Sequence, residues 1–261
     1  MRIEGSRILL TGASAGIGAA LAAEFRRRGA RLALAGRDES RLHAVAAGSA
    51  WMLAGRLEDA AYRERLFAEA VSALGGLDIL INNAGVGLYA PPSLSPLGQA
   101  RAMFEVNFFA AVDLSQRACA IMRSQGSGMI VNISSIAGRI TLPWFTLYSA
   151  SKFALTSFTE GLRAELGGTG VRAMIVSPGY VRTGFQEHVL AGTPPSELKR
   201  ARRFATSPEA CARAVAHGIE EDKNEVVTPW SGRMLVWAAR WWPGLVAWQL
   251  ARMNRSLDGQ G

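Results

Sequence analysis

Arg7-Ile8-Leu9-Leu10-Thr11-Gly12-Ala13-Ser14-Ala15-Gly16-Ile17-Gly18 runs near the start of the chain, and an amphipathic stretch from Ala19 to Gly29 follows it. An apolar run, a glycine turn and a helical pattern, in that order, make the first strand-turn-helix unit of a dinucleotide-binding fold. Glycines allow a tight turn and let backbone approach a pyrophosphate, whose charge is favoured by the N–H groups and dipole of a helix start. The spacing here is Gly-x3-Gly-x-Gly, not the commoner Gly-x-Gly-x-x-Gly, so the turn alone is a weak signal.

Further along, strand and helix patterns alternate. Apolar runs at 7–11, 32–35, 50–54, 77–81, 129–133 and 171–177 read as buried parallel strands, with an edge strand at 224–228. Helical patterns lie between them at 16–28, 38–47, 58–74, 98–124, 149–167 and 208–221. Ser207-Pro208-Glu209 suits the start of the last of these, with a capping hydroxyl and a proline in the first turn. The repeated β–α order predicts an α/β, Rossmann-like doubly wound sheet with right-handed crossovers and helices on both faces. A site is then expected at the carboxyl ends of the strands, where their order reverses.

Composition agrees with one domain. The chain has 261 residues, 49% of them hydrophobic, enough to bury a large core. Cys119 and Cys211 stand far apart without a C-x-x-C or histidine-rich context, so buried, reduced thiols are expected and no metal. The first strand begins within seven residues of Met1, which leaves no room for a signal segment and predicts a cytoplasmic location. The net charge is +8, but the basic residues are scattered and no recognition motif accompanies them, so nucleic acid is not an expected partner.

Chemistry is announced in the second half by Asn132-Ile133-Ser134-Ser135-Ile136-Ala137-Gly138, Tyr148-Ser149-Ala150-Ser151-Lys152 and Pro178-Gly179-Tyr180-Val181-Arg182-Thr183. On a shared helix, Tyr148 and Lys152 at i,i+4 lie on one face. A phenol titrates near ~10, and a cation ~4–6 Å away lowers that by ~1–3 units, which makes acid/base chemistry on an alcohol/ketone pair accessible. An isolated Tyr-x-x-x-Lys is more often an exposed aromatic beside a surface lysine; Ser135 and the glycine turn tip the balance towards catalysis.

With Thr11–Gly18, Asn82-Asn83-Ala84-Gly85, Asn107, Ser135, Tyr148-x-x-x-Lys152 and Pro178-Gly179 with Thr183 in order, residues 6 to about 228 resemble a short-chain dehydrogenase/reductase of the compact, single-domain branch. The resemblance implies a seven-stranded sheet of order 3-2-1-4-5-6-7. It assigns Tyr148 as the proton donor in carbonyl reduction or the base in alcohol oxidation, and Lys152 to the nicotinamide ribose and to lowering the tyrosine's pKa. Ser135 would hydrogen-bond the substrate oxygen, while Ser134 satisfies local backbone groups. Asn107 would order a water leading from Lys152; the plainer reading is a mid-helix Asn that bends its helix by local bonding, and the resemblance implies that it does both. The resemblance also places Gly12, Ser14, Ala15, Gly16, Ile17, Gly18, Leu57, Asn83, Ala84, Gly85, Pro178, Gly179, Val181 and Thr183 at the cofactor, with Tyr148 and Lys152. A homodimer or homotetramer acting on a small molecule is implied.

Cofactor choice rests on Ala35-Gly36-Arg37 at the end of the second strand. A carboxylate there would bind the 2′-hydroxyl of NAD; its absence removes repulsion of a 2′-phosphate, and Arg37 offers a planar donor fork. NADP(H) is therefore expected over NAD(H), the alternative being that Asp38 reaches the ribose. Where family members carry an Asp after the third strand, this chain has Gly55-Arg56-Leu57-Glu58.

Two segments bear on the substrate. Residues 184–206 are expected to form a lid, with Phe185, Val189 and Leu190 on its inner side and a basic run, Lys199-Arg200-Ala201-Arg202-Arg203. Residues 1–229 form the binding and catalytic domain, and 230–261 an added helical extension. That extension carries Trp230, Trp237, Trp241, Trp242 and Trp248 among apolar residues, Arg233, Arg240, Arg252 and Arg255. It is too short and too charged to cross a membrane. Packing against the substrate mouth or a second subunit takes precedence over a peripheral membrane contact. The expected function is an NADP(H)-dependent oxidoreductase acting on a lipophilic ketone, aldehyde or alcohol. The alternatives are a 3-oxoacyl thioester reductase, or a non-catalytic nucleotide sensor or scaffold.

Overall fold

The computed structural model describes residues 1–185, 189–192 and 205–258, with side chains up to residue 252 in the last helix. Among these residues, seven strands form one parallel sheet: β1 (Arg7–Thr11), β2 (Arg31–Gly36), β3 (Trp51–Ala54), β4 (Ile79–Asn82), β5 (Gly128–Ile133), β6 (Val171–Pro178) and β7 (Glu225–Thr228). Their order is β3-β2-β1-β4-β5-β6-β7, so the chain reverses direction across the sheet between β1 and β4. Leu9 pairs in register with Ala33 of β2 on one side and Leu80 of β4 on the other.

Helices cover both faces because successive strand residues are apolar on both. Ile8, Leu10, Leu34, Ile79, Ile81 and Val131 point to one side, onto Leu21 and Phe25 of α1 (Gly16–Arg27), Leu42 of α2 (Glu39–Ala46) and Val215 and Ile219 of α7 (Pro208–Glu220). Leu9, Ala33, Leu80 and Ile130 point to the other. There they meet Leu66 and Ala70 of α3 (Ala60–Leu74) and Leu114 and Ala118 of α5 (Ala110–Gln125). Continuous apolar strands are what burial on both faces requires.

Local capping explains several boundaries. Asp38 accepts from Arg41 N at 3.0 Å and starts α2; Asp59 accepts from Ala61 N at 2.9 Å and starts α3. Ser207 accepts from Ala210 N at 3.1 Å with Pro208 in the first turn, as its sequence suggests. α1 differs: Ala15 precedes it without a side-chain cap, and its first turn contains no acidic residue.

Two boundaries depart from the periodicity. α6 (Thr146–Glu165) starts three residues before the expected 149, which puts Tyr148 and Lys152 on one helix. The expected helix at 98–124 consists of α4 (Leu97–Phe104), a π-helical turn (Glu105–Phe109) and α5. Asn107 sits in that turn, and its partners are distant in sequence, so the alternative of local backbone bonding does not hold.

The expected lid falls largely outside the described residues, including Pro194, Pro195 and the basic run Lys199–Arg203. Its described parts are tied to the rim of the sheet: Leu190 N donates to Gly87 O at 2.8 Å, and Tyr89 N to Ala191 O at 3.0 Å. After β7 come α8 (Trp230–Trp241) and α9 (Pro243–Asp258). Cys211 is buried and free; Cys119 is also free but only partly buried, since it lies at the edge of the α5 packing surface.

Candidate active site

The carboxyl ends of β1, β4, β5 and β6 open into a cleft of about 650 Å³. The glycine turn forms one wall. Gly12 and Gly16 have φ of +65° and +55°, a left-handed conformation in which a side chain is strained. A Cβ at Gly18 would fall 2.0 Å from Gly12 O, and one at Gly16 would fall 3.1 Å from Thr183 Cγ2. The turn is clamped from β4: Asn83 Nδ2 donates to Thr11 O at 3.0 Å and Gly12 O at 3.1 Å, while Thr11 Oγ1 accepts from Asn83 N at 3.0 Å. The uncapped start of α1 opens on this wall, so its first N–H groups have no competing side-chain acceptor.

The opposite wall carries the polar groups. Ser135 follows β5 in extended conformation, and its Oγ accepts from Ala137 N at 3.1 Å and shares a hydrogen bond with the Tyr148 phenol. Lys152 Nζ donates to Ile133 O at 3.0 Å and lies 5.8 Å from the centre of the Tyr148 ring. Ser134 hydrogen-bonds Lys152 O at 3.1 Å and Thr156 Oγ1 at 3.0 Å, so it ties β5 to α6 rather than bonding backbone groups local to it.

Burial governs the electrostatics. It pushes the Tyr148 phenol well above its ordinary value, against a smaller lowering by the Ser135 hydrogen bond. Burial also pushes Lys152 down to about 8. The expectation that Lys152 draws the phenol's pKa down is thus reversed here. Both groups are enclosed, and loss of hydration disfavours the charged form of each. The phenol is neutral at pH 7 and so carries a proton it can donate.

That lysine bears on stability with a definite sign. The folded chain releases the Lys152 proton near 8 and the unfolded chain near the ordinary 10.5, so stability rises as pH climbs between those values. Below that window the buried charge is destabilising. Lys152→Met should raise the thermal midpoint of the cofactor-free protein at pH 7 and flatten the rise towards higher pH. A lower midpoint at neutral pH would contradict the assignment of burial as the cause.

Asn107 does not line the cleft; it stands behind it. Its Oδ1 accepts from Val86 N at 2.8 Å, and its Nδ2 donates to Val86 O and Ser151 Oγ, each at 3.0 Å. Ser151 Oγ donates in turn to Tyr148 O at 2.7 Å, so the π-helical turn is tied both to the segment that follows Asn83–Gly85 and to the tyrosine's helix. Gly85 separates Asn107 from Lys152: a Cβ built there would lie 3.3 Å from Asn107 Oδ1 and 3.4 Å from Lys152 Nζ. Asn107→Ala would leave the buried Val86 N–H and C=O unpaired, and should cost about 1–3 kcal/mol of stability, read as a lower denaturant midpoint. An unchanged midpoint would show that these bonds are replaced.

All the other sequence-expected residues line the cleft: Gly12, Ser14, Ala15, Gly16, Ile17, Gly18, Arg37, Leu57, Asn83, Ala84, Gly85, Ser135, Tyr148, Lys152, Pro178, Gly179, Val181 and Thr183. Sequence reasoning named Arg56 and Phe185 but missed Arg41, Tyr89 and Phe145, which complete two groups. Arg41 and Arg56 line the same end as Arg37; Arg41 pairs with Asp38 at 3.3 Å and Arg56 with Glu58 at 3.2 Å, while Arg37 makes no ion pair among the described residues. Arg41 was legible as the residue one turn on from Arg37. The second group is aromatic: Phe145 is stacked between Tyr89 at 4.4 Å and Tyr148 at 4.1 Å, and Phe185 meets Tyr148 edge-on. Phe145 was legible as the residue three before Tyr148; Tyr89 arrives from a distant loop.

The family model of the short chain dehydrogenases matches residues 6–193. The chain is 33% identical over 231 residues to a protein described as ketoacyl reductase HetN of Nostoc, covering 86% of this chain and 79% of that one. Among solved structures, a short chain dehydrogenase from Burkholderia cenocepacia in complex with NADP superposes with a TM-score of 0.81 at 28% identity, covering 96% of this chain and 99% of that one. A short chain dehydrogenase/reductase from Burkholderia phymatum in complex with NAD also gives 0.81, at 27% identity, covering 92% of this chain and 94% of that one.

Proposed function

Because this chain belongs to the short-chain dehydrogenase family, we propose that it is an NADP(H)-dependent oxidoreductase interconverting a ketone or aldehyde with an alcohol on a lipophilic substrate. The observation that carries the reading is the meeting of Ser135, Tyr148 and Lys152 in the cleft that the glycine turn borders. The residues fit a dinucleotide. Side-chain-free positions at Gly12 and Gly18 bring backbone close, and the helix start behind them is uncapped.

In this account the turn and the first N–H groups of α1 hold the pyrophosphate, and the backbone of Asn83–Gly85 with Leu57 borders the adenosine side. Lys152 holds the nicotinamide ribose, and Pro178, Gly179, Val181 and Thr183 border the nicotinamide. When bound, the cofactor supplies or accepts a hydride. Tyr148 Oη gives its proton to the carbonyl oxygen in reduction and takes it from the hydroxyl in oxidation. Ser135 Oγ hydrogen-bonds the same oxygen and stabilises the charge that develops there. Arg37, with Arg41 and Arg56 beside it, favours the 2′-phosphate of NADP(H). Asp38 is engaged as the cap of α2 and in its pair with Arg41, which disfavours its reaching a ribose hydroxyl.

An apolar substrate is supported by the wall beside Tyr148, made of Val86, Tyr89, Leu142, Phe145 and Phe185. Along a series of methyl ketones of growing chain length, kcat/KM should rise with each methylene, by up to about fourfold for ~0.8 kcal/mol of burial. A flat series would sink the lipophilic part of the reading. A 3-oxoacyl thioester is the second reading, supported by the likeness to the Nostoc protein described as a ketoacyl reductase.

A further inference from the structure

The apolar side of α8 points away from the protein. Its inward position is Gly232, which is buried and where a Cβ would lie 3.4 Å from Ile136 Cγ2. Trp230, Met234, Trp237 and Trp241 recur at i, i+4, i+7 and i+11, a single stripe on the opposite side of the helix. Their exposures are 72%, 42%, 48% and 63%. A surface helix ordinarily buries such a stripe. The exposed apolar surface continues through Trp242 and onto Leu245 and Trp248 of α9, with Trp237 and Trp242 edge-to-face at 5.2 Å.

Charge on this surface has one sign. From Trp230 to Leu257 the sequence contains four arginines, Arg233, Arg240, Arg252 and Arg255, and no Asp or Glu. Arg233 and Arg240 are exposed along one flank of the tryptophan stripe, and the Arg252 guanidinium lies 5.7 Å over the Trp248 ring. Among the described residues no helix is long and apolar enough to cross a membrane. Exposed tryptophans rimmed by arginines fit the boundary between lipid headgroups and acyl chains, where an aromatic ring is half wetted and a cation meets phosphate.

We propose that α8 and α9 dock this protein on an anionic lipid bilayer, lying in its interface with the tryptophan stripe inserted and the arginines among the headgroups. A second copy of the chain is the poorer occupant. A two-fold interface sets a patch against itself, so Arg233 and Arg240 would meet like charge, with no Asp or Glu between Trp230 and Leu257 to answer them. Docking also sets the cleft beside the lipid. Ile136 lies against Gly232 and lines the cleft, as does Gly179, where a Cβ would fall 3.2 Å from Pro229 Cδ just before α8. The proposal rests on this surface alone and stands apart from the identity of the cofactor or substrate.

The test is flotation of the full chain with vesicles of phosphatidylcholine alone and of phosphatidylcholine with phosphatidylglycerol, at low and high salt. Binding is expected to the mixed vesicles, with a blue shift of tryptophan emission, and is expected to be lost at high salt. The pair Trp237→Ser with Trp241→Ser, and separately Arg233→Gln with Arg240→Gln, should each weaken it by roughly tenfold or more while leaving NADPH affinity unchanged. No binding to the mixed vesicles, or equal binding by wild type and both variants, would overturn the proposal. So would a dimer that the tryptophan pair dissociates in the absence of any vesicle binding, which would assign the stripe to a second copy.

Discussion

Tyr148→Phe is expected to lower carbonyl turnover by about 10²–10⁴-fold or more, the range a positioned general acid supplies, while cofactor affinity stays where it was. The substitution removes one oxygen from a ring held between Phe145 and Phe185, so the aromatic packing that fixes the ring is kept. What is lost is the phenol's proton, together with the hydrogen bond to Ser135. Binding should survive because the glycine turn, α1 and Lys152 are untouched, and Lys152 Nζ keeps its bond to Ile133 O. Steady-state rates with a titration of NADPH separate the two quantities. Turnover that persists in the Phe variant would remove Tyr148 from the chemistry; lost binding would make it a residue of the cofactor site instead.

The second large effect concerns which nicotinamide cofactor is used. Arg37→Ala should weaken NADPH by roughly 10- to 150-fold, the span of about 1.5–3 kcal/mol for a hydrogen bond to a charged group, and leave NADH nearly unchanged. Arg37 follows β2 directly, lines the cleft and has no acidic partner among the described residues, so its donors are not engaged by a carboxylate. Arg41 and Arg56 already share theirs with Asp38 and Glu58, and each should show a smaller effect on the same measurement. Equal weakening of both cofactors by Arg37→Ala would refute a contact to the 2′-phosphate. Solved relatives hold NADP in one case and NAD in another, so the difference between the two affinities is the informative quantity.

Legibility in the sequence followed the range of the interaction. The first strand, the glycine turn and α1 were readable because their signals lie within about twenty residues of one another, and glycine spacing constrains backbone directly. Alternation of strands and helices was readable for the same reason, whereas the strand order came from the family resemblance. The early start of α6 was hidden because Phe145 precedes it with no side-chain cap to mark the place. The π-helical turn was hidden because apolar periodicity continues through it, while its fixed point, Asn107, bonds to Val86 from 21 residues away.

At the site, residue types were readable and their electrostatics were not. An i,i+4 spacing places Tyr148 and Lys152 together, but how far each is buried depends on loops that only the fold brings in, notably the one carrying Tyr89. Burial then reversed the direction expected for the phenol. The tail behaved similarly. Its tryptophan stripe is plain in the sequence, yet which side of α8 faces the protein is decided by Gly232 against Ile136.

The most direct test of the account follows loss of reduced-nicotinamide absorbance at saturating NADPH across a panel of apolar ketones and aldehydes, with wild type and Tyr148→Phe in parallel. Stoichiometric conversion of carbonyl to alcohol by the wild type, absent in the variant, is the predicted result. Tight NADPH binding without turnover of any member of the panel, or equal turnover by both proteins, would contradict it.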